Sequence, residues 1–138
     1  CLLDGRCAEA SGLYEESLPQ VDRWLAALDA DGQTRSDLRS LIPTLENNAG
    51  LAYVAQGNLT VGRELLAASA SAGSSEAQIN LAVLLKTNGK DAAGLELLEG
   101  VESSSINTYC DEYGREAQAA QGWFRDWVAE ALGFVSRR

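Results

Sequence analysis

The chain of 138 residues contains no histidine and no methionine, and it has few prolines (2), cysteines (3) and phenylalanines (2). Without histidine the commonest general base is missing, and no serine sits in a nucleophile elbow, so the chain reads as a non-enzyme. A zinc site would need all three cysteines plus a carboxylate, since there is no CxxC pair; no metal and no cofactor are expected. Positive charge is also scarce: 11 Lys and Arg stand against 20 Asp and Glu, a formal charge of −9. That balance argues against nucleic acid and anionic membrane as direct partners, and for a basic protein or peptide. No apolar run approaches the roughly 18 residues that a membrane span needs.

What is present is helical. Abundant Ala and Leu with so little Pro argue for an all-α protein, and the length suits one domain. One pattern is stated twice, in ENNAGLAYVAQGNLTVGRELL (Glu46–Leu66) and QINLAVLLKTNGKDAAGLELL (Gln78–Leu98). Each is an apolar helical run, a Gly turn and a second helical run. The turn glycines Gly57 and Gly89 are 32 positions apart, and a weaker third copy ends at Gln121-Gly122, 33 after Gly89. A helix-turn-helix unit of this period marks a helical solenoid. Gly inside a helix costs about 0.5–1 kcal/mol relative to Ala, so Gly62 and Gly94 at matching positions point to close helix packing.

Gly50, Tyr53, Gly57 and Gly62, then Ala82, Leu85, Gly89 and Gly94, stand where tetratricopeptide units carry their signature residues. Ala67–Leu85 resembles the Sel1-like branch of that superfamily. The resemblance covers about 60 residues; the large aromatic early in helix A is absent, and glycine replaces the usual alanine inside helix B. It implies a short right-handed solenoid with capping helices: 1–42 as N-terminal cap, 43–74 and 75–104 as repeats, 105–138 as a divergent C-terminal repeat or cap. It also implies a monomeric protein-binding module whose A helices line a groove, with Asn48 and Asn80 holding an extended peptide. Asn48, Leu51, Val54, Asn80, Val83 and Lys86 are then the groove residues. Leu51 and Val83 stand where a carboxylate-binding groove would be polar, so the groove is not one for a C-terminal carboxylate.

Cys1 as first residue, followed by Leu2, resembles the mature end of an outer-membrane-sorted bacterial lipoprotein, with the lipid on Cys1. The implied setting is periplasmic, and the lipid would be the only membrane contact. The competing reading is an ordinary Cys at a trimmed end. Cys7 and Cys110 then form an even pair suited to one disulfide in an oxidising compartment; a Cys1–Cys7 bridge leaving Cys110 as a buried thiol is the competing pair.

Elsewhere, Ser17 before Leu18-Pro19 reads as an N-cap after a break, and Pro43 reads as the boundary between an N-terminal hairpin and the first repeat. Trp24 reads as a core anchor. Trp123, Phe124, Trp127, Val128, Ala131 and Leu132 make a helical apolar stripe, either sealing the end of the array or docking a partner helix. Two roles fit a binding module of this kind: an envelope assembly factor for a secretion or pilus component, or an immunity-type protein that blocks a toxin. A small-ligand or enzymatic helical bundle with a deep pocket between Trp24 and Trp123 is the alternative.

Overall fold

A computed structural model describes residues 7–27, 32–119 and 122–136, with side chains left undescribed at some positions of α1, the start of α2 and the end of α6. Among the described residues it is all-helical, with no strand. The helices are α1 (Cys7–Ala27), α2 (Gly32–Ala55), α3 (Leu59–Ser71), α4 (Ser75–Thr87), α5 (Asp91–Glu99), α6 (Ser103–Ala119) and α7 (Trp123–Val135). None of these is long and apolar enough to cross a membrane.

The duplicated pattern becomes two duplicated hairpins, α2–α3 and α4–α5. At the first turn Gly57 N–H donates to the Val54 carbonyl at 3.0 Å and Asn58 N–H to Tyr53 at 2.9 Å. At the second, 32 residues on, Gly89 N–H donates to Lys86 at 3.0 Å and Lys90 N–H to Leu85 at 2.8 Å. Gly57 and Gly89 have φ of +83° and +79°, the left-handed conformation that closes a helix and favours glycine. The helix crossings repeat as well. A Cβ on Gly62 would lie 2.9 Å from the Gly50 carbonyl oxygen, and a Cβ on Gly94 would lie 2.7 Å from that of Ala82. Residues 50 and 62 thus cross as 82 and 94 do, backbone against backbone, which is why glycine sits inside α3 and α5.

Helix α4 is the centre of the molecule. It packs on α3 and α5 as its neighbours in sequence and on α2, α6 and α7 from further away. Surrounded in this way, it is buried on almost every side: Ala77, Ile79, Asn80, Ala82, Val83, Leu84 and Leu85 are all inside. The core continues through Leu51, Leu66 and Leu98 of the hairpins into Ile106, Tyr109 and Tyr113 of α6 and Phe124, Trp127, Val128, Ala131 and Phe134 of α7. The aromatic stripe of α7 therefore seals the core rather than facing outward. The break between α6 and α7 falls at Gly122, where φ is +74°.

Both prolines differ from expectation. Pro19 and Pro43 lie inside continuous helices α1 and α2, so neither marks a break or a repeat boundary, and α2 runs across position 43. Proline removes one N–H bond from a helix. Here Pro19 is exposed, and side-chain bonds tie down the flanking turns. Ser17 Oγ donates to the Leu13 carbonyl at 2.8 Å, so Ser17 bonds back onto its own helix interior instead of capping a start. The buried Ser69 hydroxyl of α3 donates to the Pro43 carbonyl at 2.6 Å and fastens α3 to the proline turn.

Candidate functional site

The two asparagines singled out by the sequence occupy different surroundings. Asn80 is completely buried in α4, and its carboxamide is used on both sides. Its Nδ2 donates to Asn47 Oδ1 of α2 at 3.0 Å and to the Tyr113 hydroxyl of α6 at 3.2 Å. Its Oδ1 accepts from the Tyr109 hydroxyl at 2.8 Å and from Trp127 Nε1 of α7 at 3.3 Å. One amide thereby joins four helices, and no buried side-chain nitrogen or oxygen lacks a partner among the described residues. Asn48 is half-buried and turned toward α1, where its side chain meets the Tyr14 hydroxyl.

The expected groove is therefore filled from within. Leu51 and Val54 of α2 and Asn80 and Val83 of α4 are core residues, and α6 and α7 pack on α4 where an open array would leave it uncovered. Asn48 lies against α1. Lys86 is partly exposed and pairs with Glu130 of α7 at 2.7 Å. Trp123 is partly buried and stacks on Trp127 with ring centroids 5.2 Å apart. The Trp24 side chain lies outside the described residues, and so do Cys1 and the side chain of Cys7. Cys110 is a half-buried thiol, free in this structure, and the side chain of Cys7, its expected partner, is not among those described. The helices carrying the two cysteines pack on different neighbours, α1 on α2 and α6 on α4 and α7. Burial, and next Asp111, push the Cys110 thiol up, away from its reactive form.

An open cleft of about 580 Å³ lies beside the Asn80 network, between α2, the α3–α4 turn and α6. Ser40, Thr44 and Asn47 line it from α2, Ser74, Ser75 and Glu76 from the turn and the start of α4, and Ser104, Ser105, Thr108 and Tyr109 from α6. The local sequence explains this placement. Ser74 caps α4, its Oγ accepting from Ala77 N–H at 3.2 Å, which sets Glu76 in the first turn of the helix. Asn47 and Tyr109 belong both to the cleft and to the network, so its inner wall is held by hydrogen bonds to Asn80 and cannot drift. The lining carries hydroxyls, an amide and one carboxyl, and no lysine or arginine among the described residues.

Glu76 is the electrostatically distinctive member. It is half-buried, and its carboxyl is raised above the ordinary value first by desolvation, then by the Glu112 charge, a hydrogen bond to Glu112 and the more distant Glu116. These acids do not converge as metal ligands: no group of three or more Cys, Asp or Glu suited to a metal occurs among the described residues. Behind them burial lifts Tyr113 to about 12 and Tyr109 well above its usual value, so both phenols remain neutral, Tyr109 donating to Asn80 and Tyr113 accepting from it. Sequence reasoning missed Asn47, Glu76, Tyr109 and Tyr113. A signal existed for the tyrosines, since Ile106, Tyr109 and Tyr113 recur at helical spacing in α6.

No family model, no curated protein and no solved structure matches this chain.

Proposed function

We propose that the protein is a non-enzymatic binding module, a short array of tetratricopeptide- or Sel1-like hairpins, and that its recognition surface is the cleft between α2, α4 and α6. The partner is a basic segment of another protein. One observation carries this reading: the cleft is open, lined by hydroxyls, an amide and the Glu76 carboxyl, with no basic side chain in its lining among the described residues, in a chain of net charge −9. A lysine or arginine side chain entering it meets Glu76 with Glu112 and Glu116 behind, and the serine and threonine oxygens accept its remaining hydrogen bonds. The repeated turn bonds and glycine crossings support the finer reading of the fold as a repeat array. An open cleft favours a peptide segment over the deep enclosed pocket of a small-ligand bundle. Of the two roles weighed from the sequence, the acidic cleft favours the immunity-type one, in which an acidic surface covers a basic one.

The test is a fluorescence-anisotropy titration with labelled basic, neutral and acidic peptides. Only the basic set is expected to bind, more weakly as salt is raised. Glu76→Gln is expected to lose about 5–10-fold in affinity, the size of a contact worth about 1 kcal/mol. Thr108→Trp, at an exposed position, fills the cleft and abolishes binding. Equal binding of all three peptide sets, or basic-peptide binding that survives Thr108→Trp unchanged, overturns the reading.

A further inference from the structure

Where a hydroxyl sends its proton decides what it can offer a ligand. In the cleft between α2, α4 and α6 that direction is fixed at three lining groups. Ser40 Oγ of α2 donates to the Asp37 carbonyl at 2.6 Å, and Thr108 Oγ1 of α6 donates to the Ser104 carbonyl at 3.0 Å. Tyr109 donates inward, to Asn80 Oδ1 at 2.8 Å. Each spends its single proton on its own helix or on the core and keeps only lone pairs for anything else. Ser40 and Thr108 stand at exposed positions, so their lone pairs are open to a ligand. The Asn47 amide is already engaged, its Oδ1 accepting from Asn80 Nδ2 at 3.0 Å and its Nδ2 donating to Asn48 Oδ1 at 3.4 Å. Ser74 Oγ is taken up by Ala77 N–H at the cap of α4.

Acceptors therefore stand on three different helices: Ser40 on α2, the Glu76 carboxyl on α4 and Thr108 on α6. The space they border, about 580 Å³, is far larger than an ammonium group. A lysine carries its three donors on one strongly hydrated nitrogen, so an ammonium bonded to Glu76 leaves Ser40 and Thr108 to water. A guanidinium spreads five N–H donors over a rigid plane. It gives two of them side by side to a carboxylate, still points others outward, and sheds its water more readily. A carboxyl in one wall with acceptor-only hydroxyls in two others matches the fork and not the point charge.

We infer that the cleft selects an arginine side chain over a lysine, with Glu76 binding the guanidinium and with Ser40 and Thr108 as the acceptors that set the preference. The inference rests on the binding reading given under Proposed function and deepens it, because charge alone, the ground of that reading, treats the two cations alike. Hydrogen-bond geometry does not. Both selecting residues lie on exposed helix faces, outside the core that holds α2 and α6 in place, so each can be changed without removing a buried group.

Two labelled peptides of one sequence, with arginine at every basic position of the first and lysine at those of the second, are titrated with the whole chain by fluorescence anisotropy at equal ionic strength. The arginine peptide is expected to bind about 5–10-fold more tightly, the effect of one or two added hydrogen bonds. A third peptide with dimethylated arginine keeps the charge but blocks paired hydrogen bonding, and is expected to fall to the level of the lysine peptide. In a Ser40→Ala/Thr108→Val double variant the ratio of arginine to lysine affinity is expected to fall toward one. A variant that merely loosened the fold would weaken both peptides together. Equal affinity of the wild type for the arginine and lysine peptides, or a ratio in the double variant as large as in the wild type, overturns the selection. Neither peptide binding at all removes the binding reading and the selection with it. The two failures are thus distinct: the first leaves a basic-peptide site without a preference, and the second leaves no site.

Discussion

The hairpin seams and the seam under the C-terminal helices solve the same packing problem with opposite chemistry. Within α2–α3 and α4–α5 the helices meet at glycine, with a carbonyl oxygen 2.9 Å and 2.7 Å from where a Cβ would lie. At these crossings backbone meets backbone; the Ser69–Pro43 bond joins α2 and α3 elsewhere along the seam. Between α4 and the α6–α7 pair, larger groups fill the gap: two tyrosines, a tryptophan and two asparagines satisfy one another across four helices. Tyr109 and Tyr113 stack at 4.1 Å between ring centroids within that layer. A glycine contact is dispersive and depends on shape alone. A buried polar contact is directional, so it specifies one arrangement and fails as a unit when a member is lost. The hairpins are therefore the tolerant part of the fold in hydrogen-bonding terms, and the C-terminal seam is the specific part.

The strongest way to break the comparison is at Asn80. Asn80→Ala strips partners from Asn47, Tyr109, Tyr113 and Trp127 together, all inside the core. Leaving a buried polar group without a partner costs about 1–3 kcal/mol. With partial relaxation the expected loss is about 3–5 kcal/mol, a large share of the roughly 5–15 kcal/mol that a domain possesses. Tyr109→Phe leaves Asn80 Oδ1 still bonded to Trp127 and is expected to cost only about 1 kcal/mol. Urea denaturation of the two variants measures the gap. If they destabilise equally, the network does not act as a unit.

Glycine substitutions come next in size and change sign with the seam. Gly94→Ala places a methyl 2.7 Å from the Ala82 carbonyl oxygen and 3.0 Å from Phe134 Cζ. The backbone cannot yield as a side-chain tip can, so the cost of overpacking, about 1–3 kcal/mol, outweighs the gain of up to about 1 kcal/mol from better helix propensity. Gly133→Ala in α7 meets nothing within 4 Å at an exposed position, and only the propensity gain remains. Thermal denaturation is expected to show Gly94→Ala less stable and Gly133→Ala more stable than wild type. Two shifts of the same sign would mean that the glycines are not retained for close approach.

The same contrast decides what could be read without a structure. The glycine seams are periodic, and a period is visible in a string: Gly57 and Gly89 place both turns, and Gly62 and Gly94 announce a close crossing. The C-terminal seam joins residues 29 to 47 positions apart: Asn47 and Tyr113 each stand 33 from Asn80, near the repeat interval, but Tyr109 at 29 and Trp127 at 47 follow no period. Asn80 stood out from the sequence but was turned to the wrong face, because nothing in its own helix reveals that α6 and α7 return to cover it. Counting from the turn glycines selects Asn48 as its mate at 32 positions, whereas the side chain that touches Asn80 is Asn47, at 33. One residue along a helix is a rotation of about 100°, enough to move an amide from the core to the edge of α1. The prolines misled for a related reason: proline penalises a helix interior locally, and a tertiary contact outside the helix, such as the Ser69 bond to the Pro43 carbonyl, cannot be read from the local sequence.

The smallest expected effect tests whether the exposed edge of the C-terminal seam adds anything to its buried centre. Lys86 in the last turn of α4 reaches Glu130 of α7 at 2.7 Å, but the Glu130 side chain is 52% exposed. Solvent screens such a pair, and fixing two long side chains offsets much of its attraction. A double-mutant cycle on Lys86→Ala and Glu130→Ala is expected to return about 0.2–1 kcal/mol of coupling at low salt. At about 1 M salt, where the screening length falls to about 3 Å, the coupling is expected to vanish. The Asn80 network lies beyond the reach of ions, so the cost of Asn80→Ala is expected to stay constant over the same salt range. A Lys86–Glu130 coupling that persists in salt would mean that α7 is held on α4 by its rim as well as by its core, and the division drawn between a specific interior and an indifferent edge would fail there.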